Sequence, residues 1–176
     1  MTAAAPEKSC GTCTLCCKLL AIGALEKPKD RWCDHCAPGQ GCRIYETRPQ
    51  ECVHFECGWK IDERLGPEWR PDRCKFLLAY DAGNKHLVVH VDANADNWRK
   101  EPFLGGLRNV SADVAATGGL GMLKQRNRTL VIQPDREIDL GVIGPDDRIV
   151  VDVAMDETGR PIRTPRVVSR PRLDEQ

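Results

Sequence analysis

The chain has 176 residues, with 26 Lys+Arg against 26 Asp+Glu for a formal net charge of zero, and 41% of its residues are hydrophobic. Balanced charge excludes a global field that would draw the protein to nucleic acid, and the hydrophobic share is that of an ordinary globule. No segment approaches the ~18 apolar residues a bilayer span needs, and residues 1–9 carry no apolar run of signal-peptide length, so a membrane role is not expected and the cytoplasm is the expected compartment.

Ten cysteines stand out. Nine lie between Cys10 and Cys57, one more is Cys74, and the last 102 residues have none. In a reducing compartment disulfides are rare and transient, which makes metal the leading explanation for so many thiols. The asymmetry suggests a loose leader (1–9), a cysteine-cluster metal-binding module (10–74), a small α+β domain (75–153) and an extended basic tail (154–176). The expected fold class is α+β: a small irregular cysteine-rich, metal-bound module followed by a small, mostly antiparallel sheet with one helix.

Within the module, "CGTC" supplies Cys10 and Cys13, and such a turn curls two sulfurs to one side as a thiolate-bound zinc requires. "CTLCC" continues the spacing through Cys16 and Cys17, whose adjacent side chains are expected to diverge, so two metal sites or one shared cluster are expected. "WCDHCAPGQGC" adds Cys33, Cys36 and Cys42, and "RPQECVHFECGW" adds Cys52 and Cys57. An even count also permits five disulfides. Three CxxC spacings (10/13, 13/16 and 33/36) and the rigid geometry of the S–S bridge argue against that reading.

The order "CGTCTLCC", then "WCDHCAPGQGCRIYETRPQECVHFEC", resembles the zinc- or iron-chelating cysteine-cluster family with a CxxCxxCC signature, often called the YkgJ family. The likeness runs from Cys10 to Cys57 and is carried by Cys10, Cys13, Cys16, Cys17, Cys33, Cys42, Ile44, Tyr45, Arg48, Pro49, Cys52, Phe55 and Cys57. It implies metal chelation, with the eight cysteines in that set as ligands, and leaves the metal and the biochemical role open. The chain departs from the pattern at Cys36, where an apolar residue is more usual, and by adding Cys74. Those two could complete a larger cluster, serve as exchange thiols, or simply be buried. His35 and His54 sit amid the ligands and are expected to be polar surface.

A short helix is expected over "PQECVHFEC", with Pro49 in its first turn and Cys52 and Cys57 meeting the metals at different edges. Tyr45, Phe55, Trp59 and Trp32 are expected to form a local mini-core. Lys18, Arg43 and Arg48 are candidate donors to the negatively charged sulfurs. Zn2+ is expected ahead of iron or an iron-sulfur cluster, because the ferredoxin run ending in Cys-Pro is not reproduced. The expected function is therefore metal binding without catalysis, set against two alternatives. One is an iron-sulfur or thiol redox enzyme or accessory protein using the Cys33-Asp34-His35-Cys36 dithiol, which a similar cluster in several flagellin lysine methylases makes relevant by resemblance. The other is an interaction module whose sheet or Arg-rich tail finds a protein partner.

From Lys75 the pattern alternates. "CKFLLAYDA" and "KHLVVHVDA" read as a hairpin turning at Gly83-Asn84. His86 and His90 on one strand stand about 13 Å apart at ~3.3 Å per residue and cannot share an ion. Phe103, Leu107, Val110 and Val114 fall at near-helical steps, and Gly118-Gly119 ends that helix. "RTLVIQP", "REIDLGV" and "DRIVVDVA" read as three further strands. The tail holds five arginines before its acids but no stacking aromatic, which disfavours nucleic acid.

Overall fold

In the computed structural model, which describes residues 8–169, an α+β chain begins with helix α1 (Leu15–Leu19), a two-stranded ribbon of β1 (Cys36–Ala37) and β2 (Gly41–Cys42), and helices α2 (Gln50–His54), α3 (Gly58–Ile61) and α4 (Pro71–Cys74). Beyond them comes a five-stranded sheet, built from β3 (Phe76–Asp81), β4 (His86–Val91), β5 (Gly121–Gln125), β6 (Arg128–Ile132) and β7 (Glu137–Val142) in that order. Every pairing in it is antiparallel except β4 with β5. A parallel neighbour needs a crossover, and α5 (Phe103–Ala116) supplies it. The chain then forms a hairpin of β8 (Asp147–Met155) and β9 (Pro161–Ser169). The ends of the expected leader and tail, residues 1–7 and 170–176, lie outside the described residues.

Strand periodicity places the core. In β4, Leu87, Val89 and Val91 are fully buried while His86, Val88 and His90 point the other way, as a period of two dictates. Leu107 and Val110 of α5 meet the first face, with Phe103 and Val114 packed at its margin. On the opposite face, Leu120, Met122 and Val131 are covered by Ile149 and Val151 of β8. The helix ends at Gly118, which has a φ of +90°, and Gly119 is required because a Cβ there would sit 1.8 Å from the Lys85 carbonyl oxygen.

Several expectations change. Strand β5 is not among the expected elements, because "GMLKQ" opens on glycine and closes on two polar residues, yet Gly121, Met122 and Leu123 are buried at the sheet centre. The expected extended tail contains β9, paired over nine residues with β8. Its arginines are partly engaged within the fold: Arg163 donates to the Ala115 and Gly118 carbonyls at the end of α5, and Arg166 pairs with Asp152 at 2.6 Å. The mini-core does not form. Trp32 and Tyr45 are exposed, whereas Trp59 joins Leu65, Trp69, Cys74, Phe76 and Leu78 in the main core. That cluster runs through the position where cysteine content falls, and Leu15 and Leu19 likewise pack on Leu77 of β3. Among the described residues no helix is long and apolar enough to cross a membrane.

His90 gives the sheet a pH dependence. Burial, assisted by Lys124 and Lys29, pushes its pKa down to about 4. The unfolded chain therefore binds a proton between about pH 6.5 and 4 that the folded chain refuses, so this contribution to stability is complete above pH 6.5 and is lost as pH falls through about 4. At roughly 1.4 kcal/mol per pKa unit, the loss is on the order of 3 kcal/mol. Urea unfolding at pH 7 and pH 4.5 is expected to show a smaller acid penalty in His90→Gln than in the native chain; equal penalties would refute the assignment.

Candidate metal centre

The two outer CxxC segments fold as hydrogen-bonded turns. The Cys13 N–H donates to the Cys10 carbonyl at 2.8 Å and the Cys36 N–H to the Cys33 carbonyl at 2.9 Å. Each turn leaves its two side chains on one side of the chain. The elements on which each turn docks then decide where its sulfurs go.

The first turn is tied to the start of α4, where the Arg70 guanidinium donates to the Cys10 carbonyl at 2.8 Å and to Thr12 Oγ1 at 3.1 Å. Cys57 pairs with Ala79 of β3 in an isolated bridge. Burial raises the Cys57 pKa, opposed by the Trp59 and Lys60 N–H groups, while the charges of Cys13 and Cys10 act in the raising direction. Cys13 is raised by burial and opposed by the N–H groups of Leu15 and Asp72. Cys74 lies behind them, 1% exposed, its thiol donating to the Trp69 carbonyl at 3.3 Å and the Phe76 carbonyl at 3.1 Å, with its pKa pushed by burial up to about 12. It is a satisfied core thiol within reach of the charges of Cys57 and Cys13.

The second neighbourhood gathers Cys16, Cys17, Cys33, Cys36, Cys42 and Cys52. The Cys33 N–H donates to the Cys17 carbonyl at 3.0 Å, which docks the second turn on α1. Cys36 and Cys42 face each other across the β1–β2 ribbon, where directly opposed Cβ atoms lie about 4.5–5.5 Å apart. The Cys17 pKa is raised, the neighbouring Cys16 thiol being the largest cause and burial the next, while Cys36 opposes the shift. Burial pushes Cys36 up to about 11, with the Cys17 charge next and a hydrogen bond from Thr14 opposing. Cys52 is raised by burial and then by Cys17, Cys33 and Cys42.

These placements sort the expected ligands. Cys33 is docked on Cys17, Cys42 lies opposite Cys36, and Cys57 is tied to β3 while Cys52 stands on α2. His35 and His54 are exposed. The expected donors turn elsewhere: Lys18 pairs with Asp92 at 2.5 Å, and Arg48 stacks on Tyr45 and bonds its carbonyl. Backbone N–H groups face the Cys13 and Cys57 sulfurs instead. Cys36 is buried opposite Cys42 across the short ribbon, and Lys27, which the sequence does not single out, is buried at 8% exposure.

Among the described residues, no three His, Cys, Asp or Glu side chains are drawn together tightly enough to hold an ion as they stand. The donor set is nonetheless of the soft type that suits zinc or iron, since every sulfur is a free thiol. Comparison with protein-family models, with curated proteins and with solved structures found no match in any of the three.

Proposed function

We propose that the cysteine-rich region is a metal-binding module that holds thiophilic ions at two thiolate sites, Zn2+ ahead of iron or an iron-sulfur cluster, in a reducing cytoplasmic setting. The observation that carries this reading is the docking of the second CxxC turn on α1 through the Cys33 N–H and the Cys17 carbonyl, with Cys42 opposite Cys36 across the ribbon, which draws free thiols from separate parts of the chain towards one another. Cys10, Cys13 and Cys57 would serve one ion, and Cys16, Cys17, Cys33, Cys42 and Cys52 the other, with Cys36 as a further sulfur of the second. A bound ion would deprotonate thiols that burial otherwise keeps neutral, and the backbone N–H groups around Cys13 and Cys57 would stabilise the resulting charge. The likeness to the YkgJ-type CxxCxxCC proteins points the same way.

Elemental analysis and X-ray absorption on protein purified without oxygen test it. Sulfur-coordinated zinc is the expected result, and brown material with iron would shift the reading to an iron-sulfur protein. Metal-free, fully ordered protein would overturn it.

A further inference from the structure

The chain is neutral as a whole, but its charge is not evenly spread. A cavity of about 570 Å³ beside β5 and the start of β8 is lined by Lys29, His86, Lys124, Arg126, Arg128 and Arg148. That volume falls within the ~300–1,000 Å³ of small-molecule sites. Sheet geometry brings the cations together: Lys124 stands two residues from Met122 on the same face of β5, Arg126 lies in the turn to β6, and Arg128 opens that strand. Lys29 arrives from the cysteine-rich part of the chain, its Nζ donating to the Arg126 carbonyl at 2.7 Å. The Arg126 guanidinium in turn donates to the Ala93 carbonyl at 3.1 Å and to Asn94 Oδ1 at 3.4 Å. These bonds fix the two side chains without neutralising them.

Counter-charge is short. Arg128 pairs with Asp139 at 2.5 Å, but among the described residues Lys29, Lys124, Arg126 and Arg148 have no ion pair. Asp147 is the single carboxylate of the lining, and its oxygens already accept from the Gly144 N–H at 2.8 Å and the Ser169 hydroxyl at 2.7 Å. Like charges gathered this way repel one another. Arg126 also takes a φ of +55°, where Gly or Asn would stand at lower cost. His86 adds a neutral donor, since its Nδ1 accepts from the Leu120 N–H at 3.1 Å and the ring proton is left on Nε2. Met122, Ile143 and Ile149 give the same cavity an apolar part. The surplus of cations exceeds what one carboxylate ligand balances, whereas a single phosphate group brings about −1.5 to −2. No aromatic ring lines the cavity to stack a nucleic-acid base. We propose that this cavity binds a small organic phosphate of about nucleoside-diphosphate size, its phosphates on Lys124, Arg126 and Arg148 and its uncharged part against Met122, Ile143 and Ile149. No cysteine lines the cavity, so the proposal stands apart from the metal-binding reading.

The test is calorimetric titration of the full chain, purified without oxygen, with ADP, adenosine, pyrophosphate and a single-stranded RNA oligomer in phosphate-free buffer. The native chain is expected to bind one ADP, to lose it to pyrophosphate, and to ignore adenosine. Lys124→Gln and Arg148→Gln are each expected to weaken ADP binding by about tenfold, the share of one charge-assisted hydrogen bond. Both side chains are exposed, so the melting temperature without ADP should stay that of the native chain, and Arg160→Gln, an exposed cation outside the cavity, should bind as the native chain does. Absence of ADP binding overturns the proposal. So does binding that neither cavity variant weakens, which would mean capture by a bound metal, and so does binding that Arg160→Gln weakens equally, which would mean diffuse attraction. RNA bound more tightly than ADP and lost in the same variants would replace the small phosphate with a nucleic acid.

Discussion

Stripping the anaerobically purified protein with a strong chelator is expected to abolish hydrogen-exchange protection across residues 10–54 while β3 to β6 and α5 stay protected. The reason is the distribution of apolar burial. Between Cys10 and His54 the buried hydrophobic side chains are Leu15, Leu19, Ile22, Cys33 and Cys36, and two of those five are thiols. The regular structure there is two five-residue helices, two two-residue strands and two three-residue 3-10 turns. Isolated elements of that length are not stable in water. Structural zinc supplies about 10–16 kcal/mol in small peptides, which dwarfs what three aliphatic side chains contribute. Residues 58–74 should behave differently, because Trp59, Leu65, Trp69 and Cys74 are buried in the sheet's own core. Protection unchanged by chelation, with metal loss verified by elemental analysis, would show that the region folds without ions.

How much of this is readable in the sequence depends on the range of the forces involved. Strands β3, β4, β6, β7 and β8 and helix α5 announce themselves because periods of two and near four are local. Strand β5 does not, because a central strand is buried by its neighbours on both sides and needs no alternation of its own. The prolines of β9 argue against a helix and for an extended tail, and Pro161 and Pro165 sit on one strand of a two-stranded hairpin, where a missing N–H is tolerated. In the cysteine region, spacing identifies the thiols as a set but not their partners. The Cys57–Ala79 bridge and the docking of Cys33 on Cys17 are set by pairing over longer separations, which spacing within one motif does not reveal. Lys27 reads as surface in one dimension. Loop closure between Ile22 and Lys27 turns it inward.

The weld between the two parts of the molecule gives the other large effect. Trp69 stands edge-on to Phe76 at 5.7 Å and 87° and to Phe103 at 5.2 Å and 82°, and those two rings meet at 5.4 Å and 88°. The triad therefore joins the turn before α4 to β3 and to α5. Gly106 of α5 makes room for it, since a Cβ there would lie 2.4 Å from the indole ring. Truncation of a buried tryptophan costs about 3–5 kcal/mol through lost transfer energy and the cavity left behind. Trp69→Ala is expected to lower the unfolding free energy by that amount in urea, and Trp69→Phe by less, because a ring still meets Phe76 and Phe103. The damage should reach the first sulfur group as well: the Trp69 carbonyl accepts from the Cys74 thiol, and three residues on the Asp72 N–H faces Cys13. Trp69→Ala should therefore release zinc from the Cys10, Cys13 and Cys57 site faster than the native chain while the second group keeps its own. A loss below about 1 kcal/mol, the range of surface substitutions, would mean that the aromatic triad does not join the two parts.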